Sequence, residues 1–173
     1  TSDDNTWSSS SLNTYLNGTY LTSLGTLADK IATTMWKVGG NSWDNIGGVV
    51  PATAYQYEVG SSASTTTVDK KIGLMYVTDY YYSASPSAWT LVGYNSSDAT
   101  KDYRAATSTN WLYLGSYEWT ISRGSDGMSS AFSVFGSGSV FSNRYVTASF
   151  GVRPFFNLES SVKYVSGSGS MSD

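Results

Sequence analysis

The chain has 173 residues, a net charge of −3, 13% charged positions, no cysteine and no histidine. That length suggests one domain. The acidic balance argues against a nucleic-acid partner, which selects a basic stripe, and the missing residue types exclude thiolate, Cys–His and Ser–His–Asp chemistry along with the commonest metal ligands. Aromatic residues reach 15%, with six Trp and fourteen Tyr, so the Ser/Thr/Asn/Gly-rich remainder belongs to a folded domain rather than a disordered one. No apolar run approaches the ~20 residues that span a membrane.

In chain order, Leu12, Tyr15, Leu16, Tyr20 and Leu24 recur at helical spacing behind a Ser8–Ser11 run that can supply an N-cap. Gly18 is expected to interrupt this first helix, and a second is expected over Leu24 to Met35. Beyond Trp36, Gly39-Gly40 and Gly47-Gly48 punctuate a loop, and the expectation is that no helical period returns. Strands are expected over Ala54–Val59, Ile72–Val77, Glu118–Ser122, Ala131–Phe135, Ser139–Phe141, Val152–Leu158 and Val162–Val165. Phe135 to Val140, with Gly136 and Gly138, reads as a hairpin turn. The segment from Asp79 to Asn110 is too rich in Tyr and Trp for a linker and is expected to be an ordered excursion packed on the sheet. Residues 1–165 form a single α+β domain on this reading, and the Gly/Ser-rich stretch 166–173 a flexible linker or tail.

Several short motifs occur in a characteristic order. They are Trp7 with Leu12 to Gly18, Lys71-Ile72-Gly73-Leu74-Met75-Tyr76-Val77-Thr78-Asp79-Tyr80, Trp89, Asn110-Trp111-Leu112, Glu118-Trp119-Thr120-Ile121 and Gly151-Val152-Arg153-Pro154. In this order they resemble the C-type-lectin fold, in the branch that holds formylglycine-generating-enzyme-like domains and related surface domains of Firmicutes. The resemblance implies two N-terminal helices packed on short twisted antiparallel sheets with long ordered loops. It also implies an extracellular, cell-surface setting, often in proteins with pilin-like leaders or cell-wall attachments. Such domains usually open with strands before the first helix. Only six residues precede Trp7, so the opening strands are expected to be missing here or donated by a neighbouring molecule.

The resemblance does not bring its chemistry with it. Formylglycine-generating members use cysteine thiolates and copper, and this chain has no cysteine. Calcium-dependent lectins carry Glu-Pro-Asn or Gln-Pro-Asp followed by Trp-Asn-Asp, and neither occurs; Trp43-Asp44-Asn45 is a scrambled echo in another region. Asp98, Asp102 and Asp126 read as turn-formers before metal ligands. The carboxylates, from Asp3 to Glu159, show no spacing that pairs an acid with a base. No catalytic residue, no metal and no cofactor is expected.

Scaffold roles fall to Trp111 and Trp119 as core anchors, and to Gly151, Arg153 and Pro154 in the last strand. There the resemblance puts the guanidinium in the core, satisfying backbone carbonyls. The loops before that strand are the ligand-facing surface in the family. Here they carry Tyr113, Tyr117, Arg123, Asp126, Phe132, Asn143, Arg144 and Tyr145 among Ser and Gly, the mixture found in protein-binding surfaces. Some of these aromatics must be core, and the expected ligand-binding set leaves out Phe132. The expected function is a non-catalytic extracellular binding or adhesion domain that takes a glycan or protein ligand on those residues. The alternative is a structural subunit self-associating into a filament by strand exchange. An enzyme working with carboxylates alone is the disfavoured third reading.

Overall fold

The structure, a computed structural model, describes residues 4–127, 129–163 and 165–166. Asp3, Met128, Tyr164 and the tail from Gly167 onward lie outside the described residues.

Ser10 begins the first helical run by accepting the Asn13 N–H on its hydroxyl at 3.0 Å, as an N-cap does. The run is α1 (Ser11–Tyr15), a wider π-type turn over Leu16–Tyr20 and α2 (Leu21–Ser23). Gly18 does not break it, contrary to the sequence expectation, because the π turn accommodates that position. The break comes at Gly25, whose φ of 57° suits a residue without Cβ. The second helix expected over Leu24–Met35 is corrected: a 3-10 segment covers Gly25–Lys30, and Met35 lies in β1 (Thr34–Lys37). Met35 is 63% exposed, so the apolar spacing that suggested a helix face packs nothing there.

After β2 (Gly40–Asn41) comes a π turn at Trp43–Gly47 and then α3 (Pro51–Glu58), a helix over most of Ala54–Val59, which was expected as a strand. Pro51 fits the first helical position because it has no N–H to leave unpaired. The inward face of α3 is Pro51, Ala54 and Glu58, so Tyr55 and Tyr57 are left outside. Next come β3 (Thr67–Lys70), β4 (Gly73–Leu74) and α4 (Val77–Tyr82). The expected strand Ile72–Val77 is therefore only two residues long, and helical structure does return after Trp36. α4 is short and aromatic, and a side chain of its first turn reaches back to hold its start: Asp79 Oδ2 accepts the Tyr76 N–H at 2.7 Å.

β5 (Glu118–Gly124), β6 (Ser130–Val134) and β7 (Val140–Tyr145) form the antiparallel ribbon the sequence predicts, with Gly138 at φ 90° in the turn. The last strand contracts from the expected Val152–Leu158 to β8 (Pro154–Phe155), and the described residues of Val162–Val165 form no strand.

The result is a mixed α+β fold with small sheets. β1 pairs with β3 and β4 with β8, both antiparallel, while the central sheet runs β2-β5-β6-β7 with β2 parallel to β5. This central sheet separates two cores. Phe132, Val134 and Val140 face one, with Tyr80, Tyr81, Tyr103 and Met75. Trp119, Ile121 and Ala131 face the other, with Trp7, Leu16, Trp36 and Ile72. Covering both faces explains why Glu118 to Ser122 is buried without alternation. It also relocates the 79–110 excursion: Tyr80, Tyr81 and Tyr103 are fully buried and form core rather than a layer laid on the sheet. Among the described residues no helix is long and apolar enough to cross a membrane.

Candidate functional site

The β6–β7 hairpin and the return to β8 bring distant residues to one surface. Past Tyr145 the chain turns, the Ala148 N–H donating to Tyr145 O at 2.9 Å, and reaches Gly151. Gly151 bridges the start of β5: its N–H donates to Tyr117 O at 2.8 Å and its carbonyl accepts the Trp119 N–H at 3.0 Å. A Cβ at Gly151 would stand 3.1 Å from Tyr117 O, so the close approach favours glycine. Phe150 is thereby set between Tyr117, at 5.0 Å between ring centroids, and Trp119, at 4.6 Å.

Arg153 locks this arrangement. Its Nε and Nη2 donate to the two oxygens of Glu118 at 2.9 and 3.0 Å, and Nη2 also donates to Leu112 O at 2.7 Å. The fork matches the carboxylate, as guanidinium geometry favours. Burial pushes the Glu118 carboxyl above its usual range, and the Arg153 charge and hydrogen bonds oppose that rise. Pro154 pairs with Leu74 across β8 and β4.

Above this scaffold lies an open depression of about 650 Å³ whose walls include Tyr117, Asn143, Arg144, Tyr145 and Phe150. Tyr117 is 46% and Tyr145 67% exposed. The Arg144 guanidinium lies 4.7 Å from the centre of the Phe135 ring, a cation–π arrangement on an exposed residue. Phe135 in turn packs on Tyr117 and Phe141 at 5.0 and 5.5 Å, so the exposed groups rest on a continuous aromatic row.

Four of the seven residues expected to bind ligand thus meet in one place, and three do not. Tyr113 is half-buried, packed against the first core, with its hydroxyl donating to Gly136 O at 2.7 Å. Asp126 is exposed on the β5–β6 turn, where it accepts a 3.3 Å bond from Ser125. Arg123 lines a different cleft, between β5 and the N-terminal segment. Phe132 is core. Trp111 is corrected outright: it is 74% exposed, because its neighbours Asn110 and Leu112 take the inward positions of that turn. Trp119, by contrast, is 9% exposed, between the second core and Phe150.

The aspartates considered for calcium serve the backbone. Asp98 caps a 3-10 turn through the Thr100 N–H, and fully buried Asp102 accepts from the N–H groups of Asn95 and Arg104 and pairs with the Arg104 guanidinium. Among the described residues there is no group of three or more Asp or Glu placed to hold a metal ion. Sequence reading missed Phe150 and Phe135, whose only signal was an aromatic beside each of the two glycine turns.

No curated protein and no solved structure matches this chain. A family model does, over residues 1–160: the chain belongs to the DUF6273 family, a domain of unknown function.

Proposed function

We propose that this domain is a non-catalytic binding module of C-type-lectin type, displayed outside the cell on a bacterial surface or pilin-like protein. It takes a glycan or protein ligand on the depression between Tyr117 and Tyr145. One observation carries the reading: exposed Tyr117, Asn143, Arg144 and Tyr145 converge on a backbone held rigid by the Gly151 bridge and the Arg153–Glu118 pair. Rigid, exposed Tyr and Arg side chains are the groups that bind at low entropic cost. Tyrosine faces and a guanidinium suit the apolar faces and hydroxyls of a sugar equally well as a peptide. The lectin-type reading draws support from the meeting of the Ile72-Gly73-Leu74 and Arg153-Pro154 motifs in the β4–β8 pair.

The absence of catalysis is argued from the residue types and from how the buried acids are used. Glu58 is consumed by backbone and hydroxyl donors, Glu118 by Arg153 and Asp102 by Arg104. None is left with a free oxygen facing an open cleft in the manner of a general base. Glycan and protein arrays probed with the wild type and with Tyr145→Ala test the proposal. A ligand retained by the wild type and lost in the variant supports it, and identical array patterns for the two proteins refute the site.

The filament reading has one observation in its favour: β7 is an edge of the central sheet, and an edge strand can accept a donated one. In that case the purified chain would associate with rising concentration, and sedimentation would show it. A monomer at all concentrations would exclude self-association of the chain by itself.

A further inference from the structure

We infer a second binding site, which adjoins the depression at Thr147: the cleft between the N-terminal segment and the β5–β6 face, suited to a small ligand that carries one carboxylate on an apolar body. The segment from Asp4 to Leu12 is pinned at the β5–β6 end, where the Asn5 amide donates to the carbonyls of Gly124, Gly127 and Ser130 at 3.0, 3.0 and 2.6 Å, and beside that anchor it leaves a space of about 540 Å³. This falls within the roughly 300–1,000 Å³ of small-molecule sites. Trp7, Leu12, Leu74, Trp119 and Ile121 give it apolar walls, and Arg123 is the one cation among its described lining residues.

Arg123 is held differently from the other arginines. Arg104 and Arg153 each rest on a carboxylate, and Arg144 lies over an aromatic ring. Arg123 forms no ion pair among the described residues. Its Nη1 donates to Asn5 Oδ1 at 3.4 Å and to Thr6 Oγ1 at 3.3 Å, both at the long limit of a hydrogen bond. Its Nε is enclosed without an acceptor among the described residues, and so is Nε1 of Trp7, another lining residue. One guanidinium N–H, at Arg123 Nε, and one indole N–H, both left without acceptors among residues that line one cleft, are an unmet demand for an anion. A carboxylate meets it best, since its two oxygens match the guanidinium fork.

The other charged group narrows the class. Asp4 also lines the cleft, but one oxygen accepts both the N–H and the hydroxyl of Thr6, at 2.9 and 2.7 Å, which turns the carboxylate back on its own loop. Its charge still repels a second anionic group on the ligand, so a monocarboxylate fits where a dicarboxylate or phosphate does not.

N-Acetylphenylalanine is the probe, followed by calorimetry and by tryptophan fluorescence, for which Trp7 and Trp119 are reporters in the walls. The expected result is saturable binding, weakened at least about tenfold when the carboxylate becomes a carboxamide, and by a similar factor in Arg123→Gln. Ser9→Trp, at an exposed position on the rim, is the second variant: it leaves the core and Arg123 intact and is expected to abolish binding by filling the entrance. It keeps the test decisive should Arg123→Gln fail to fold. A longer peptide ending in phenylalanine separates the two sources of such a group. Tighter binding of the peptide assigns a polypeptide C-terminus, and equal or weaker binding assigns a free acid. No saturable binding of the acid, equal binding of acid and carboxamide, or unchanged binding in Ser9→Trp overturns the inference. The cleft and the depression around Tyr145 share Thr147, but neither Ser9 nor Arg123 lines the depression, so this outcome is distinguishable from that of the function proposed above.

Discussion

Glu58 Oε2 accepts both the backbone N–H of Thr78, at 2.8 Å, and its hydroxyl, at 2.6 Å. The other oxygen accepts the Val77 N–H at 3.0 Å and the Ser122 hydroxyl. One carboxylate at the end of α3 therefore closes the first turn of α4 and ties both helices to β5. Glu58→Ala would leave the buried Thr78 N–H without an acceptor and the Val77 N–H with only a 3.4 Å bond to Ser122 Oγ, and a loss of about 2–4 kcal/mol is expected in urea denaturation. An unchanged midpoint would show that water takes over the role.

The same residue sets a pH dependence. Burial raises the Glu58 carboxyl, against the hydrogen bonds from Ser122, Thr78 and Val77, and burial likewise raises Asp79 and Glu118. A carboxyl raised in the folded state contributes stability that is full below its unfolded pKa and lost as pH climbs through the folded value. Asp4 and Asp98 have the opposite sign. Hydrogen bonds from Thr6 and Thr100 hold them low, so their contribution is present above the unfolded pKa and lost as pH falls through the lowered one. The melting temperature is expected to peak near the unfolded carboxylate range, about pH 4–5, and to decline toward neutrality. Glu58→Gln should flatten that decline. Thermal melts from about pH 3 to about pH 8 check this, and a Tm rising steadily to neutrality contradicts it.

Arg153 and Glu118 give a third test. Removing the guanidinium in Arg153→Met strands a carboxylate that is 3% exposed, at an expected cost of about 3–5 kcal/mol. The double variant with Glu118→Met should recover most of that loss, because two apolar side chains of similar size replace a desolvated pair. A double variant no more stable than the single one would place the role of Arg153 in its bond to Leu112 O instead.

Gly138 gives a fourth. A Cβ there would lie 2.2 Å from the Thr107 methyl, at a φ of 90° that L side chains rarely adopt. Gly138→Ala is expected to cost about 1–3 kcal/mol by chemical denaturation, and wild-type stability would mean the turn can change type.

How far the sequence could be read depends on where each element gets its stability. β5, β6 and β7 were legible because apolar strands flank a glycine turn, and the Ser10 cap because its side chain bonds locally. α3 and α4 were not, since Ala54-Tyr55-Gln56-Tyr57-Glu58 and Val77 to Tyr82 have strand-like composition. Their helicity is held by Pro51 at one start and by Glu58, distant in sequence, at the other. Trp111 and Trp119 show the same limit at the level of one side chain. The two are eight positions apart in aromatic-rich runs, yet one is exposed and the other enclosed, and only the tertiary turn at Asn110 decides which. The depression was half-legible for that reason: β7 supplied three of its residues in sequence, whereas Phe150 joins through the Gly151 bridge.

Tyr145 and Phe135 separate binding from support within the depression. Tyr145 is 67% exposed and contributes little to folding, so Tyr145→Ala should leave stability within about 0.5 kcal/mol while weakening a ligand found on the arrays at least about tenfold. Phe135 carries the Arg144 guanidinium and packs on Tyr117 and Phe141, so Phe135→Ala should lose about 2–3 kcal/mol of stability as well as affinity. Paired melts and titrations of the two variants check the division. If Tyr145→Ala binds as the wild type does, the ligand does not rest on β7, and the depression is only the outer surface of an aromatic row that supports the sheet edge.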